Sequence, residues 1–190
     1  RHGIVTVAQL RLQFAPGMSR RIVWLLALST GCVVANIYYI QPLLADIARE
    51  FHLSIAQIGS VAMLAQVGTG LGMLSFVPLG DKYERRSLIA ILLVAESIAL
   101  AFAASARSIV WLSAACFFVG VWTSAVHVIV PLAAHLAPPK ERGRIVGTVL
   151  SGLLVGVLLA RTFSGIVGDA YGWRVVYWFA SGLMLVLVVT

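Results

Sequence analysis

The chain has 190 residues, of which 61% are hydrophobic and 11% are charged, and its formal net charge is +7. Soluble domains are usually about 45–50% apolar and about 25% charged, so this composition excludes an ordinary water-soluble globule and indicates a membrane protein. The positive charge does not indicate nucleic-acid binding, because the cations lie between apolar runs and not on one soluble face. A membrane-spanning helix needs about 20 apolar residues, so the length accommodates about six spans and little else.

Six apolar runs follow one another along the chain. They are too long and too continuous for strands, and in lipid a helix satisfies its own backbone hydrogen bonds. We therefore predict an all-α polytopic membrane protein whose six transmembrane helices cover residues 22–44, 55–79, 88–106, 109–137, 145–168 and 175–190. The last run is short for a bilayer crossing, so the sequence predicts a bundle that is truncated at its C-terminus.

The positive charges predict the orientation of these helices. Most Lys and Arg residues precede the first run or lie in the connections around Lys82 and Lys140, and cations accumulate in cytoplasmic loops. We expect residues 1–21 to form a cytoplasmic N-terminal segment. The two cysteines, Cys32 and Cys116, lie inside apolar runs without metal-type spacing, so we predict buried free thiols and no metal site.

Two short segments in different halves of the chain share a pattern. Gly, Asp, Tyr and Arg recur in residues 80–86 and again 88 residues later in 168–174, and Gly68 and Gly156 have the same separation. The first copy follows the second run and the other follows the fifth, so the two copies are predicted on opposite sides of the membrane. The two three-helix units are therefore predicted to be inverted repeats, as in secondary transporters.

The segment 77–86 resembles the signature that major facilitator superfamily transporters carry between their second and third helices, G-x-x-x-D-[RK]-x-G-[RK]-[RK]. Val77 and Glu84 stand in place of its two glycines. The matching residues are Asp81, Lys82, Arg85 and Arg86. The stretch 36–44 is also similar to the first helix of bacterial drug:proton antiporter-like members of that superfamily.

This resemblance implies the N-terminal half of a twelve-helix secondary transporter in the bacterial inner membrane. It implies proton-coupled efflux of small molecules by rocker-switch alternating access, a C-terminal six-helix half as partner, no cofactor and no enzymatic activity. The residues Asp81, Lys82, Arg85 and Arg86 would form a conformational latch, and its outer copy would consist of Gly165, Asp169, Gly172 and Arg174. The alternative for the charged connection is a solvated segment whose cations only set the orientation.

Two motifs depart from the antiporter pattern. Cys116 stands where the family often has an Arg, four residues before Gly120, and Ala160-Arg161 replaces the Gly-Pro of the fifth-helix motif. Both motifs are associated in the family with antiport, so the resemblance supports proton coupling less directly than it supports the fold.

Charged side chains inside the apolar runs are candidates for a substrate or proton path, because charges are costly in hydrocarbon. Glu96 is either a proton-binding or ion-pairing group or a structural carboxyl. Arg161 either binds an anionic group or an acid, or it extends toward the membrane surface. His127 is either a proton relay or a packed histidine.

Neutral polar residues in the first run offer hydrogen bonds to a substrate. Asn36, Tyr38 and Gln41 lie within an otherwise apolar stretch, and small-molecule sites combine apolar walls with a few polar groups. The alternative is hydrogen bonding between helices.

The main alternative to a working transporter is a truncated, nonfunctional half, such as a pseudogene product. Other membrane classes are disfavoured by their motifs. An intramembrane serine protease needs a histidine after its G-x-S-G-like segment, and none follows Ser164; an ATP-driven exporter needs a Gly-Lys pair, which is absent.

Overall fold

A computed structural model describes residues 19–189, apart from the side chains of Ile55 and Asp81. Most of the predicted segment 1–21 therefore lies outside the described residues. Within residues 19–189 all regular structure is helical, which confirms the all-α prediction. The helices are α1 (Arg20–Tyr38), α2 (Ile40–Glu50), α3 (Ile55–Lys82), α4 (Arg85–Ala104), α5 (Ile109–Thr123), α6 (Val126–Leu136), α7 (Arg142–Tyr171) and α8 (Trp173–Val189).

These helices form six consecutive spans, because α1 with α2 and α5 with α6 are nearly continuous. Five spans are long and apolar enough to cross a membrane, namely Arg20–Glu50, Ala56–Gly80, Arg85–Ala104, Ile109–Leu136 and Arg142–Tyr171. The sixth span, α8, is a shorter apolar helix. We refer to them below as the first to sixth spans.

The first and fourth spans are each interrupted near the middle. In the first span, Pro42 lacks the N–H that would bond to the carbonyl of Tyr38, so the helix is interrupted at Tyr39. In the fourth span, the N–H groups of Ala125, His127 and Val128 bond to carbonyls three residues back, which is the tighter 3₁₀ pattern. The two interruptions occur in corresponding helices of the two predicted repeats.

Several helices extend past the apolar runs, because polar residues continue a helix where it leaves hydrocarbon. The second span begins with a capping box, in which Ser54 and Gln57 satisfy each other's backbone N–H groups. It continues to Lys82, so the backbone of Asp81 belongs to its last turn. The fifth span ends at Gly172, whose φ of +86° is readily adopted only by glycine.

The packing of the spans follows the inverted repeat. The three most extensive contacts join the second span to the fourth, the first to the fifth and the third to the sixth. Exchanging the two three-helix units turns the first pairing into the second and leaves the third unchanged. The fold is therefore the predicted pair of inverted three-helix repeats.

Glycines allow two of these pairings to be very close. A Cβ atom at Gly156 of the fifth span would overlap the backbone of Gly31 in the first span. A Cβ atom at Gly120 of the fourth span would likewise overlap the carbonyl of Ala65 in the second span. Small residues are what permit such backbone contact between membrane helices.

The third and sixth spans meet through a reciprocal pair of serines. Ser97 Oγ lies 2.9 Å from the carbonyl oxygen of Ser181, and Ser181 Oγ lies 2.9 Å from the carbonyl oxygen of Ser97. The contact is the same in both directions, and it joins the two three-helix units.

The alternation of the spans defines two sides of the bundle. The N-terminal side contains the helix ends at Arg20, Lys82, Arg85, Leu136, Arg142 and Val189. The far side contains the helix ends at Glu50, Ile55, Ala104, Ile109, Tyr171 and Trp173.

Candidate functional site

A buried polar cluster lies at the centre of the bundle, around Glu96 of the third span. Glu96 Oε1 accepts a hydrogen bond from Asn36 Nδ2 of the first span at 2.9 Å and lies 2.6 Å from Thr123 Oγ1 of the fourth span. Asn36 Nδ2 is also 3.3 Å from Met184 Sδ of the sixth span. The exposed fractions of Glu96, Asn36 and Thr123 are 0%, 2% and 1%. The central cluster (Asn36, Glu96, Thr123 and Met184) thus joins four spans away from solvent.

The central cluster has fewer donor hydrogens than acceptors. The single hydroxyl hydrogen of Thr123 has two acceptors within reach, Glu96 Oε1 and the carbonyl oxygen of Val119 at 2.7 Å. Among the described residues, Glu96 Oε2 and Asn36 Oδ1 are buried without any hydrogen-bond partner. Buried polar atoms are nearly always paired, so these unpaired acceptors indicate that the cluster lacks a hydrogen-bond donor.

Tyr39 is an ionisable side chain in the same buried part of the bundle as Glu96. It is 4% exposed and lies at the interruption of the first span. A phenol carries no charge at neutral pH, so it provides no counter-charge for a carboxylate.

Arg161 lies in the fifth span, apart from the central cluster. Its guanidinium carbon is 5.8 Å from the ring centroid of Tyr38 in the first span, a cation–π distance. The Arg161 side chain is otherwise exposed in this six-helix unit. The structure therefore brings together two of the predicted path residues, Tyr38 and Arg161, as it does Asn36 and Glu96.

The two remaining path candidates, Gln41 and His127, contact neither the central cluster nor Arg161 through a hydrogen bond that the structure describes. Gln41 is half-buried in α2, and no hydrogen bond within the described residues joins it to Glu96 or Arg161. His127 is half-buried just after the interruption of the fourth span, and its Nδ1 atom is buried without a partner in the described part of the chain.

On the N-terminal side, Arg85 joins three helices. Its Nε atom donates to the carbonyl of Gly80 at 3.1 Å and its Nη1 atom to the carbonyl of Pro131 at 3.3 Å. Lys82 and Arg86 are exposed. The side chain of Asp81 lies outside the described residues, so the acidic part of the predicted latch stays a prediction.

On the far side, a polar cluster joins the ends of three spans. It consists of Glu50, Trp173, Arg174 and the carbonyl of Ala106. Arg174 Nη1 lies 2.7 Å from Glu50 Oε1, and Arg174 Nη2 donates to Ala106 O at 2.9 Å. Trp173 Nε1 donates to Glu50 Oε2 at 2.6 Å. This far-side cluster ties the ends of the first and third spans to the start of the sixth.

The four residues predicted as the outer copy of the latch are not gathered in one place. Arg174 belongs to the far-side cluster, but Asp169 is exposed and its side chain forms no hydrogen bond or ion pair within residues 19–189. Gly165 faces Pro42, and Gly172 ends the fifth span. The acid that pairs with Arg174 is Glu50, which the repeat pattern does not contain. The sequence places Glu50 at the end of the first span, on the side of Arg174, but it does not identify the pair.

Six helical spans in two inverted units, with polar groups buried between them, define the six-helix unit of a secondary-transporter fold. The sequence pattern of the family described as the Major Facilitator Superfamily matches residues 26–190. The chain therefore belongs to the major facilitator superfamily, which confirms at the family level the resemblance seen in its motifs.

Relatives in two bacteria are similar over most of this chain. A protein described as the putative uncharacterized transporter YgaY of Escherichia coli is 42% identical over 170 residues, which are 90% of this chain and 43% of that protein. The probable transporter SCO4007 of Streptomyces coelicolor is 38% identical over 163 residues, which are 86% of this chain and 38% of that protein. The chain thus spans about two-fifths of the length of these relatives.

Solved structures show the same fold at 18% sequence identity. A bacterial homologue of the human lysosomal transporter Spinster, in an inward-facing and unoccupied conformation, superposes with a TM-score of 0.78 over 89% of this chain and 41% of that one. Its inward-facing, occupied conformation gives 0.77 over 89% and 42%. The human organic anion transporter MFSD10 gives 0.63 over 90% and 46%.

Proposed function

We propose that this chain is the N-terminal six-helix half of a secondary transporter that exports a small molecule in exchange for protons by alternating access. The family match supports this proposal, as do the relatives described as transporters, of which the chain covers less than half. In this proposal the substrate binds between this half and a C-terminal half.

Two spans present the surface for that second half. In the most apolar part of each span, only 22% of the residues of the second span and 17% of those of the fifth are buried, against 50% in the first, third and fourth. The second and fifth spans occupy equivalent positions in the two repeats. They therefore offer a matched pair of helices for a partner with the same fold.

The donor shortage around Glu96 is the observation that carries the proton-coupled mechanism. A proton on Glu96 adds the missing donor, because a protonated Oε2 can donate to Asn36 Oδ1 while Oε1 keeps accepting from Asn36 Nδ2. A proton on Oε1 instead donates to Thr123, whose own hydrogen then goes to Val119. The first arrangement pairs the two atoms that an ionised carboxylate leaves unpaired, and the second gives each of the two acceptors near Thr123 a hydrogen of its own.

Loss of that proton would leave a charge in a buried cluster without a cation. An unpaired buried charge is strongly disfavoured, so proton release requires the first, third or fourth span to move apart or to admit water. A proton that binds one arrangement of the spans better than another shifts the conformational equilibrium. In this way Glu96 couples proton binding to the alternation between states.

The orientation and the latch complete the proposal. The described cations of the N-terminal side support a cytoplasmic location of that side under the positive-inside rule; they are Arg20, Arg21, Lys82, Arg85, Arg86, Lys140, Arg142 and Arg144. Asp81 with Lys82, Arg85 and Arg86 then forms a cytoplasmic latch, and the membrane is the inner membrane of a bacterium. Tyr38, Gln41, His127 and Arg161 line the substrate path beside the proton site.

Proton exchange can be tested in inside-out vesicles from cells that produce the complete protein. Acridine orange reports the proton gradient, and the probes are ethidium, chloramphenicol and benzoate. With the wild type, at least one probe should collapse the proton gradient. Glu96→Gln should abolish that collapse, whereas the exposed control Glu84→Gln should respond like the wild type. Probe accumulation that is insensitive to a protonophore would contradict proton coupling. Vesicles that behave like protein-free ones with every probe would favour a nonfunctional half.

A further inference from the structure

Arg161 is a charged residue well inside a membrane span. It lies ten residues before the end of α7 at Tyr171, which corresponds to about 15 Å along the helix. A charge at such depth is costly unless it is compensated. The compensation visible within this unit is the ring of Tyr38 at 5.8 Å, which is weaker than a carboxylate.

No acidic side chain that the structure describes pairs with Arg161. Glu84 and Glu141 lie at helix starts on the N-terminal side, and Glu141 precedes Arg161 by twenty residues, or about 30 Å along the helix. Within residues 19–189, Asp46 pairs with Arg49 and Glu50 pairs with Arg174. Glu96 is bonded in the central cluster, and Asp169 lies eight residues further along the same helix, about 12 Å away. The counter-charge of Arg161 therefore comes from outside the described unit.

The geometry at Tyr38 leaves the guanidinium able to bind an anion. The contact with the Tyr38 ring is a cation–π contact and not a hydrogen bond, so the N–H groups along the edge of the guanidinium stay available. Those edge N–H groups match the two oxygens of a carboxylate or sulfonate in a bidentate contact. Tyr38 thus holds the cation within the bundle and does not compete for its donors.

The scaffold itself does not require a charge at this position. The residue 88 positions earlier, which is the repeat equivalent in the second span, is Met73. An uncharged side chain therefore suffices where the same helix environment has only a packing role. The Arg belongs to the fifth span alone, which is one of the two most exposed spans of this unit.

We propose that Arg161, positioned on Tyr38, binds the carboxylate or sulfonate of an organic anion, so that the transported substrate is anionic. This inference rests on the proposed transport function for its physiological meaning. The binding step itself needs neither a proton gradient nor transport, so it is tested separately.

The test measures the thermal unfolding of the purified complete protein with matched aromatic probes. The anionic probes are benzoate and benzenesulfonate, and the controls are benzyl alcohol and benzyltrimethylammonium. A ligand at ten times its Kd lowers the apparent unfolding constant about 11-fold, so the anions should raise the Tm of the wild type. The uncharged and cationic probes should leave it unchanged.

Variants assign that effect to the site. Arg161→Gln should abolish the anion-dependent rise in Tm, whereas Arg144→Gln, an exposed cation on the same helix, should retain it. Tyr38→Phe keeps the ring and should retain the rise, and Tyr38→Leu should reduce it.

Two results would overturn the proposal. One is an anion effect that persists in Arg161→Gln. The other is a wild type that neither anion stabilises; if Arg161→Gln then also lowers the Tm, Arg161 pairs with an acid of the other half. A failed proton-exchange assay would leave the anion-binding result standing.

Discussion

The two three-helix repeats share a scaffold but not their chemistry. Gly68 and Gly156 lie 88 residues apart in sequence, and each allows close backbone contact between two spans. At the same separation, however, Glu96 of the first repeat corresponds to Met184 of the second, and Arg161 of the second corresponds to Met73 of the first. Each of these two charged residues inside the membrane thus corresponds to a methionine in the other repeat.

Glu96 and Met184 show what this difference does at one point in space. Both converge on the amide of Asn36, at 2.9 Å and 3.3 Å respectively. One repeat supplies a carboxyl that can exchange a proton, and the other supplies a thioether that can only pack and accept weakly. The repeats share the packing of the bundle, and they differ in the groups that we propose to bind protons or substrate.

The largest expected effect comes from breaking the shared scaffold. Gly120→Leu and Gly156→Leu each place a side chain against the backbone of a neighbouring span, so each should cost about 3 kcal/mol or more of stability. The yield of folded complete protein in size-exclusion chromatography measures this loss. Gly70→Ala and Gly147→Ala point into open space and should be tolerated. If only one of the two glycine contacts proves sensitive, the repeats do not share their packing.

The next effect comes from making the repeats alike at the central cluster. Glu96→Met removes the acceptor for Asn36 and Thr123, so it should cost about 1–3 kcal/mol through unpaired buried groups. Glu96→Gln supplies an N–H donor where the proton would lie, so it should keep the wild-type stability but lose proton exchange. Thermal unfolding and the vesicle assay separate the two variants. A Glu96→Gln protein as unstable as Glu96→Met would show that the carboxyl is ionised in the wild type.

The smallest expected effect on stability compares Glu50 of the far-side cluster with Asp169 of the repeat motif. Glu50 and Arg174 have exposed side-chain fractions of 41% and 38%, so Glu50→Gln should cost no more than about 1 kcal/mol, and less at high salt. Asp169→Asn should have no measurable effect, because Asp169 has no partner among the described residues. Unfolding curves at low and high salt test both variants. An Asp169→Asn protein less stable than Glu50→Gln would restore the role that the repeat pattern gives to Asp169.

The sequence predicts the six spans and the inverted repeat because apolar runs and the offset of 88 residues are properties of the chain alone. It also identifies Glu96 and Arg161, since a charge inside an apolar run is visible without a structure. It does not identify Thr123, Met184 or Glu50 as partners. Those contacts depend on how each helix is rotated against its neighbours, and residues such as Thr123 and Met184 are common in apolar spans.

The protonation state of Glu96 tests the central claim most directly. Infrared spectroscopy of the complete protein in lipid can detect the C=O stretch of a protonated carboxylic acid at neutral pH. We predict a protonated band that disappears in Glu96→Gln and remains in Glu84→Gln, with a shift in Asn36→Leu because the amide partner is lost. A spectrum in which Glu96 contributes only carboxylate bands at neutral pH would contradict the proposed proton site.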